Sequence, residues 1–561
     1  MTITKHSRRR VLALTLLTGF FTGGNAFADT PLADIQVVDL RPDETIQQAS
    51  NYAPLQDSYL TPAENVVAAE TVTVEAPAAM PEPVVAYAPA EMPAAMQPEM
   101  QAAVPCSRCN STDSNKEKKE AATAKMKGAY KGLFFLNDFS YLNDNFYDGP
   151  AQPGESFKGL YGGKLDIGGE ARVRYHSENN MRGLGLTGID DEFFLTRYRL
   201  FSNLRINDYF RVYGEYLYAD SSSGSNDAFL FRPIEVNRGE IQNLFLETQL
   251  TENLAVRVGR QELLFGAQRL VSPLDWANTR RTFQGVTGTY QGDQWAVDGF
   301  FTNPVTRSNA TRSKVDDANE DIDFFGVYGT NSQTSLGSLE AYYIGFVNDV
   351  ADFDFHTVGA RISGKSDGGV LYDIESASQF GTNSDGTDHG AGFIAAGVGR
   401  QLNLGDWKPT VWGWYDYASG AENPPFAAGD DGFNHLFPLA HKYNGLMDLF
   451  GRRNLHDINV QFITPFISPK VKLIVWAHHF MLDEATTPYG VTMNPFNAAN
   501  AAGDRELGQE VDVLFNINLD ARNSMLVGYS HFNAGEYYET TAGVPTDADA
   551  DFFYMQYQTR F

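Results

Sequence analysis

The sequence predicts an all-β protein: a transmembrane antiparallel β-barrel of about 18 strands, preceded by a disordered Pro/Ala-rich N-terminal segment. Three observations predict it. From residue 164 to the end, polar and apolar residues alternate with period two, in segments near the ~10 residues that cross a bilayer when tilted. Aromatic residues make up 13% of the 561 residues, and Trp412, Trp414, Tyr415, Tyr417, Tyr537 and Tyr538 stand at expected strand ends, where an interfacial girdle would place them. Mean hydropathy is −0.32 and the chain has a single apolar run, which excludes a helical membrane protein.

The N-terminus sets the compartment. Lys5, Arg8, Arg9 and Arg10 precede an apolar run from Val11 to Phe21, and Ala26-Phe27-Ala28 forms a small-x-small cleavage site. Residues 1–28 therefore read as a secretory signal peptide, too short and wrongly flanked to span a membrane. Ser7-Arg8-Arg9 resembles a twin-arginine signal. A membrane barrel must cross the inner membrane unfolded, however, which favours the general secretory route. The expected location is the outer membrane, with the N-terminal linker in the periplasm.

Residues 29–131 form a linker ending in a short Lys-rich segment. Eleven Pro fall between residues 29 and 105, among Ala and acidic residues with neither helical nor strand period. Proline fixes φ and removes donors, so this stretch reads as extended chain. Cys106 and Cys109 are the only two cysteines. A zinc site needs a second pair, so a local disulfide in an oxidising compartment is the expectation, and no metal or cofactor is called for. Six Lys and two Glu between 116 and 131 predict one short solvated helix. Residues 132–163 connect it to the barrel at 164–561.

The first strand, 165–175, alternates almost without fault: Leu165, Ile167, Ala171, Val173 and Tyr175 on one face, Asp166, Glu170, Arg172 and Arg174 on the other. In 194–206, Phe194, Tyr198, Leu200, Leu204 and Ile206 oppose Arg197, Arg199, Asn203 and Arg205. In 209–220, Phe210, Val212, Tyr216 and Tyr218 oppose Arg211 and Glu215. Weaker versions follow at 239–250, 254–261, 283–291, 295–302, 323–329, 338–346, 356–365, 370–381, 390–402, 410–418, 455–465, 471–481, 506–518, 524–533 and 551–561. The chain ends in Phe561, with Tyr557, Met555 and Phe553 on the same face and Thr559 as the one departure. That end resembles the one recognised by the barrel assembly machinery, which with outer-membrane lipid and lipopolysaccharide makes up the expected partners.

Barrels of about sixteen to eighteen strands leave an aqueous lumen, so conduction is the expected role. The net charge of −27 argues against a nucleic-acid partner. Acidic stretches such as Asp316-Asp317 and Glu320-Asp321 read as loops, whereas strand parity turns Arg172, Arg174, Arg197, Arg199, Arg205, Arg211, Arg257 and Arg361 inward. Guanidinium groups bind carboxylates as a planar fork, so such a ladder suits passage of a polycarboxylate. The same Arg can instead pair with Asp166, Glu170 and Glu215 and stiffen the wall. Late strands lean acidic at Glu506, Glu510 and Asp512, giving a two-sided lumen field.

No enzyme is expected. The position two after His531 is Asn533, not a serine nucleophile. Neither G-x-S-x-G nor H-E-x-x-H occurs. His478 and His479 fall on opposite faces of one strand, and His435 and His441 are expected in a solvated loop.

Three separated motifs carry a resemblance. Val258-Gly259-Arg260-Gln261 is followed by a long turn containing Gln268-Arg269, Trp276 and Arg280-Arg281-Thr282-Phe283. A long late loop runs from Phe433 to Phe450 and on to Asn454-Leu455, and Leu507-Gly508-Gln509-Glu510-Val511-Asp512 opens a late strand. Over roughly 164–561 the chain resembles the alginate export family of outer-membrane proteins, with Val258 in place of an aromatic. The resemblance implies an eighteen-stranded monomeric barrel whose Arg-lined constriction passes a polyuronate, and by motif position it adds Arg260, Gln261, Arg269, Arg280 and Arg281 to the solute path. The alternative is a general or solute-specific porin for small nutrients, in which the Arg are structural.

Overall fold

The computed structural model describes residues 110–561 apart from 151, 223–233, 308–314, 406 and 423–428. The signal peptide, nearly all of the linker and Cys106/Cys109 lie outside the described residues. Helix α1 (Asn110–Lys127) opens the described chain and carries the Lys-rich segment. No helix among the described residues is long and apolar enough to cross a membrane.

Eighteen strands follow. The first six are β1 (Leu165–Asn179), β2 (Asp191–Arg205), β3 (Phe210–Ser221), β4 (Asn237–Thr251), β5 (Leu254–Gln261) and β6 (Phe283–Gln291). The next six are β7 (Ala296–Pro304), β8 (Ile322–Thr334), β9 (Gly337–Asn348), β10 (Phe353–Lys365), β11 (Val370–Thr382) and β12 (Asp388–Gln401). The last six are β13 (Thr410–Ala418), β14 (Leu455–Phe466), β15 (Ser468–Met481), β16 (Glu506–Asn518), β17 (Asn523–Ala534) and β18 (Ala550–Arg560). Each strand pairs antiparallel with the next, and β18 pairs back onto β1 with Val173 opposite Tyr557. The terminal residue completes the seam, since Phe561 N donates to Gly169 O at 3.0 Å and Gly169 N to Phe561 O at 2.9 Å. In a bilayer this closure is obligatory, because hydrocarbon offers a free sheet edge no hydrogen-bond partner.

Parity sorts the side chains as the sequence predicts. On β2, Arg197, Arg199 and Asn203 are buried while Phe194, Tyr198 and Leu200 stand about half exposed on the outside. Val173, Leu244, Leu246, Val398, Ile458 and Val460 continue this apolar outer belt, a surface that only lipid covers at such extent.

The expected girdle is corrected in part. Trp412 and Trp414 share the face of Asp416, stack with ring centroids 5.2 Å apart and point inward, leaving Tyr415 on the outside. Tyr537 and Tyr538 belong to the short helix α2 (Glu536–Thr540) and are buried against neighbouring strands. The outward aromatics include Tyr415 together with Phe194, Tyr198, Tyr216, Phe380 and Tyr529.

The two ends of the barrel differ. At one, single-residue to few-residue turns join β2 to β3, β4 to β5, β8 to β9 and β14 to β15, and both the N-terminal segment and Phe561 sit there. At the other, long connections follow β1, β3, β5, β7, β13, β15 and β17. Several of these fold back into the barrel: residues 267–283 and 433–455 are buried almost throughout. The two insertions are knitted together by a parallel bridge between Val271 and Phe437, with Phe437 N to Leu270 O at 2.9 Å and Ser272 N to Phe437 O at 2.8 Å.

Candidate functional site: the filled lumen

Inward arginines of β1 and β2 and inward acids of β16 each grip one inserted loop by its backbone groups. On β1 and β2, guanidinium donors meet the carbonyls of the β5–β6 loop. Arg172 donates to Asp275 O (2.6 Å) and Ala277 O (2.7 Å), and Arg197 to Asp275 O (3.0 Å). Arg174 lies over the Trp276 ring at 3.3 Å and also donates to Trp276 O. Three strands along the sheet from β1, the β16 carboxylates meet the β13–β14 loop: Glu510 accepts from Met447 N at 2.9 Å. Glu510 and Asp512 are buried on the inward face of β16, and Glu506 is half-buried.

Carboxylates balance most of the cations. Arg197 pairs with Glu170 (2.6 Å) and Asp275 (2.5 Å), Arg199 with Glu215 (2.6 Å), and Arg280 with both Glu262 and Asp275. Burial pushes Asp275 up, but Arg197, Arg280 and Arg199 outweigh it and hold the carboxyl below its ordinary range. The remaining residues expected along the path fall into separate groups. Arg269 reaches Glu375 (2.7 Å) and Asp373 (3.3 Å), and Arg361 reaches Glu340 (2.5 Å) and Asp373 (2.8 Å), on the β9–β11 wall. Arg211 (2.6 Å) and Arg257 (2.8 Å) share Glu247, and Arg205 meets Asp166 at 2.7 Å, all at the short-turn end. Arg260 pairs with Glu240 and donates to Asp316 O at 2.5 Å. Gln261 accepts from Thr287 at 2.8 Å, and Arg281 donates to Ser272 O at 3.1 Å. The single ladder drawn from parity is therefore three clusters plus these contacts.

Two glycines explain why the motifs have their form. Gly259 sits at φ +133° and Gly508 at φ +138°, each at the loop end of its strand. A Cβ at Gly259 would run into the Leu244 carbonyl, and one at Gly508 into that of Asn533.

Sequence reasoning placed His435 and His441 in a solvated loop; both are buried. Burial, then Arg452 beside His435 and Arg174 beside His441, keeps each imidazole neutral. His441 therefore meets Asp448, 3.3 Å away, without being its cation, and stacks on Trp276 at 4.9 Å. Residues not anticipated as anchors include Arg452 on Asp416 (2.6 Å) and Arg182 on Asp191 (3.0 Å) and Glu235 (2.8 Å). His531 and Ser530 point to opposite faces, with His531 on Asp551 at 2.9 Å.

Comparison with known proteins gives the lineage. Among solved structures, the chain is similar to OpdK of Pseudomonas aeruginosa, solved with vanillate, at 10% identity and TM-score 0.49, covering 71% of this chain and 98% of that one. It is also similar to OccK8 (OprE) of the same organism, at 11% identity and TM-score 0.49, covering 72% and 99%. A third, OccAB4 of Acinetobacter baumannii, is 12% identical with TM-score 0.48, covering 71% and 98%. No curated protein sequence matches the chain. The sequence profile described as alginate export matches residues 163–549, which spans all but the last strand of the barrel. The chain is an outer-membrane β-barrel channel, and it belongs to the alginate export family.

Proposed function

We propose that the channel passes an anionic polysaccharide, alginate or a related polyuronate, across the outer membrane along the Arg-bearing walls of its lumen. The observation that carries this is Arg172, whose hydrogen bonds go to the carbonyls of residues 275–277 and to Asn278. A guanidinium fork engaged with backbone carbonyls is one that a uronate carboxylate can take over when the loop gives way. Family membership supports the same solute class. Conductance and reversal potential of the purified protein under a salt gradient, with and without polyuronate, test it. Anion selectivity and block by the polymer are expected, both weakened in Arg172→Glu and Arg199→Glu. Cation selectivity without block overturns the reading.

A second reading is favoured by the balance of the buried charges. Thirteen Arg and two Lys face eighteen Asp and Glu among the buried described residues. In a porin for small nutrients the Arg serve the wall and the loops, and small uncharged sugars pass as fast as uronates.

A further inference from the structure

We infer that the described residues of 129–158 are a removable plug of the periplasmic mouth, seated on a cationic site that takes a carboxylated polymer when the plug withdraws. In outer-membrane barrels the short turns face the periplasm, and this segment enters the lumen from that end. Leu133, Phe134, Phe135, Phe139 and Tyr141 are all at most 6% exposed. They pack on inward residues of β2, β3 and β4: Phe134 on Phe201 at 5.5 Å, Phe135 on Tyr213 at 5.8 Å and on Phe245 at 5.4 Å.

Guanidinium groups of the wall lie beneath the plug. The Phe134 ring faces Arg199 at 3.8 Å and Arg560 at 5.6 Å, and the Phe135 ring faces Arg257 at 4.3 Å. The carbonyl of Phe135 accepts from Arg211 at 2.6 Å, and that of Tyr130 accepts from Arg560 at 3.4 Å. Arg199 holds Glu215 at 2.6 Å, whereas the other three share their acids: Arg211 and Arg257 both use Glu247, and Arg560 lies 3.6 Å from Glu170, which already holds Arg197. Aromatic faces and carbonyl oxygens satisfy such groups partially, and a polymer carboxylate does so better. The plug is not itself part of the wall. It contributes no strand to the eighteen, and all of it precedes the family-matched region, which begins at residue 163. Besides its contacts with the wall it is bonded within itself and to α1, by Tyr141 to Glu155 at 2.7 Å and Lys125 to Asp144 at 3.5 Å. It therefore moves as one piece with α1.

The polymer half of this inference rests on the function proposed above; the plug half does not. The test is single-channel recording of the full chain, of Phe134→Ala/Phe135→Ala, and of Phe135→Cys/Phe245→Cys in a Cys106→Ser/Cys109→Ser background. The alanine pair is expected to raise KCl conductance roughly twofold or more. Reducing the locked cysteine pair is expected to raise its conductance as well. Polyuronate added on the short-turn side should block the alanine pair at roughly tenfold lower concentration than the full chain. Arg211→Gln/Arg257→Gln added to the alanine pair should abolish that gain. Equal conductance in all three proteins, with barrels equally resistant to heating in detergent, overturns the plug. A conductance rise without any polymer block supports the plug and overturns the polymer site.

Discussion

Removing the guanidinium of Arg197 takes the 2.6 Å and 2.5 Å partner from two buried carboxylates at once, leaving Glu170 to Arg560 and Asp275 to Arg280. Breaking a buried pair from one side costs about 3–5 kcal/mol. Arg197→Ala is therefore expected to lose about that much in urea unfolding from lipid vesicles. Arg205→Ala, whose side chain is 41% exposed beside Asp166, should lose under about 1 kcal/mol. Comparable losses in the two variants would contradict this account of the wall. Lys442 gives a pH dependence of definite sign. Burial, with Arg361 and Arg269 near, lowers its pKa to about 7 from the model-compound value of 10.5. Below pH 7 both folded and unfolded chains hold the proton and its destabilisation is complete. Between about 7 and 10.5 the unfolded chain binds more protons, so stability rises with pH. Lys442→Met is expected to flatten that rise in the same unfolding assay, and an unchanged slope would refute it. Parity alone told which way Arg172, Arg197 and Arg199 point. Their partners were not legible, since Arg172 and the Asp275 carbonyl are 103 residues apart.

Strands and loops differ in what their sequences disclose. A strand writes its environment into every second residue, so β5, β6, β13 and β16 begin and end where the alternation does. The inserted loops have no such period. Ser272, Asp275, Asn278, Thr279 and Arg280 would suit a solvated connection, and their burial depends on walls contributed by distant strands. The same gap explains the girdle: Trp412 stands at a strand end, but its parity with Asp416 was the better guide to its face. Trp276 is the keystone of the β5–β6 insertion, fully buried between Arg174, His441 and Tyr554. Truncating a buried Trp costs about 3–5 kcal/mol. In Trp276→Ala, amide hydrogen exchange is expected to accelerate across 262–282 while β5 and β6 retain their protection. Acceleration spread evenly around the barrel would mean that the loop is part of the wall's own stability.

At the scale of the molecule, eighteen strands set the bore and the chain then fills it from both ends. Charge is what holds the filling: residues 132–561 carry about −24 of the total −27, yet fifteen buried cations stand against eighteen buried acids among the described residues. An open tube of this strand number conducts freely. The intact protein is expected to conduct far less, in small single-channel steps that grow when Arg197 or Trp276 is removed. Large, steady openings of the unmodified chain would be incompatible with insertions as tightly bonded as these. The inward turn of the longest connections also decides what the cell shows its surroundings. Proteases, phages and antibodies find their purchase on segments that rise above the rim, and two of the longest such segments here spend themselves inside. Resistance to external digestion, and a narrow repertoire of surface epitopes, come with the same folding that narrows the channel.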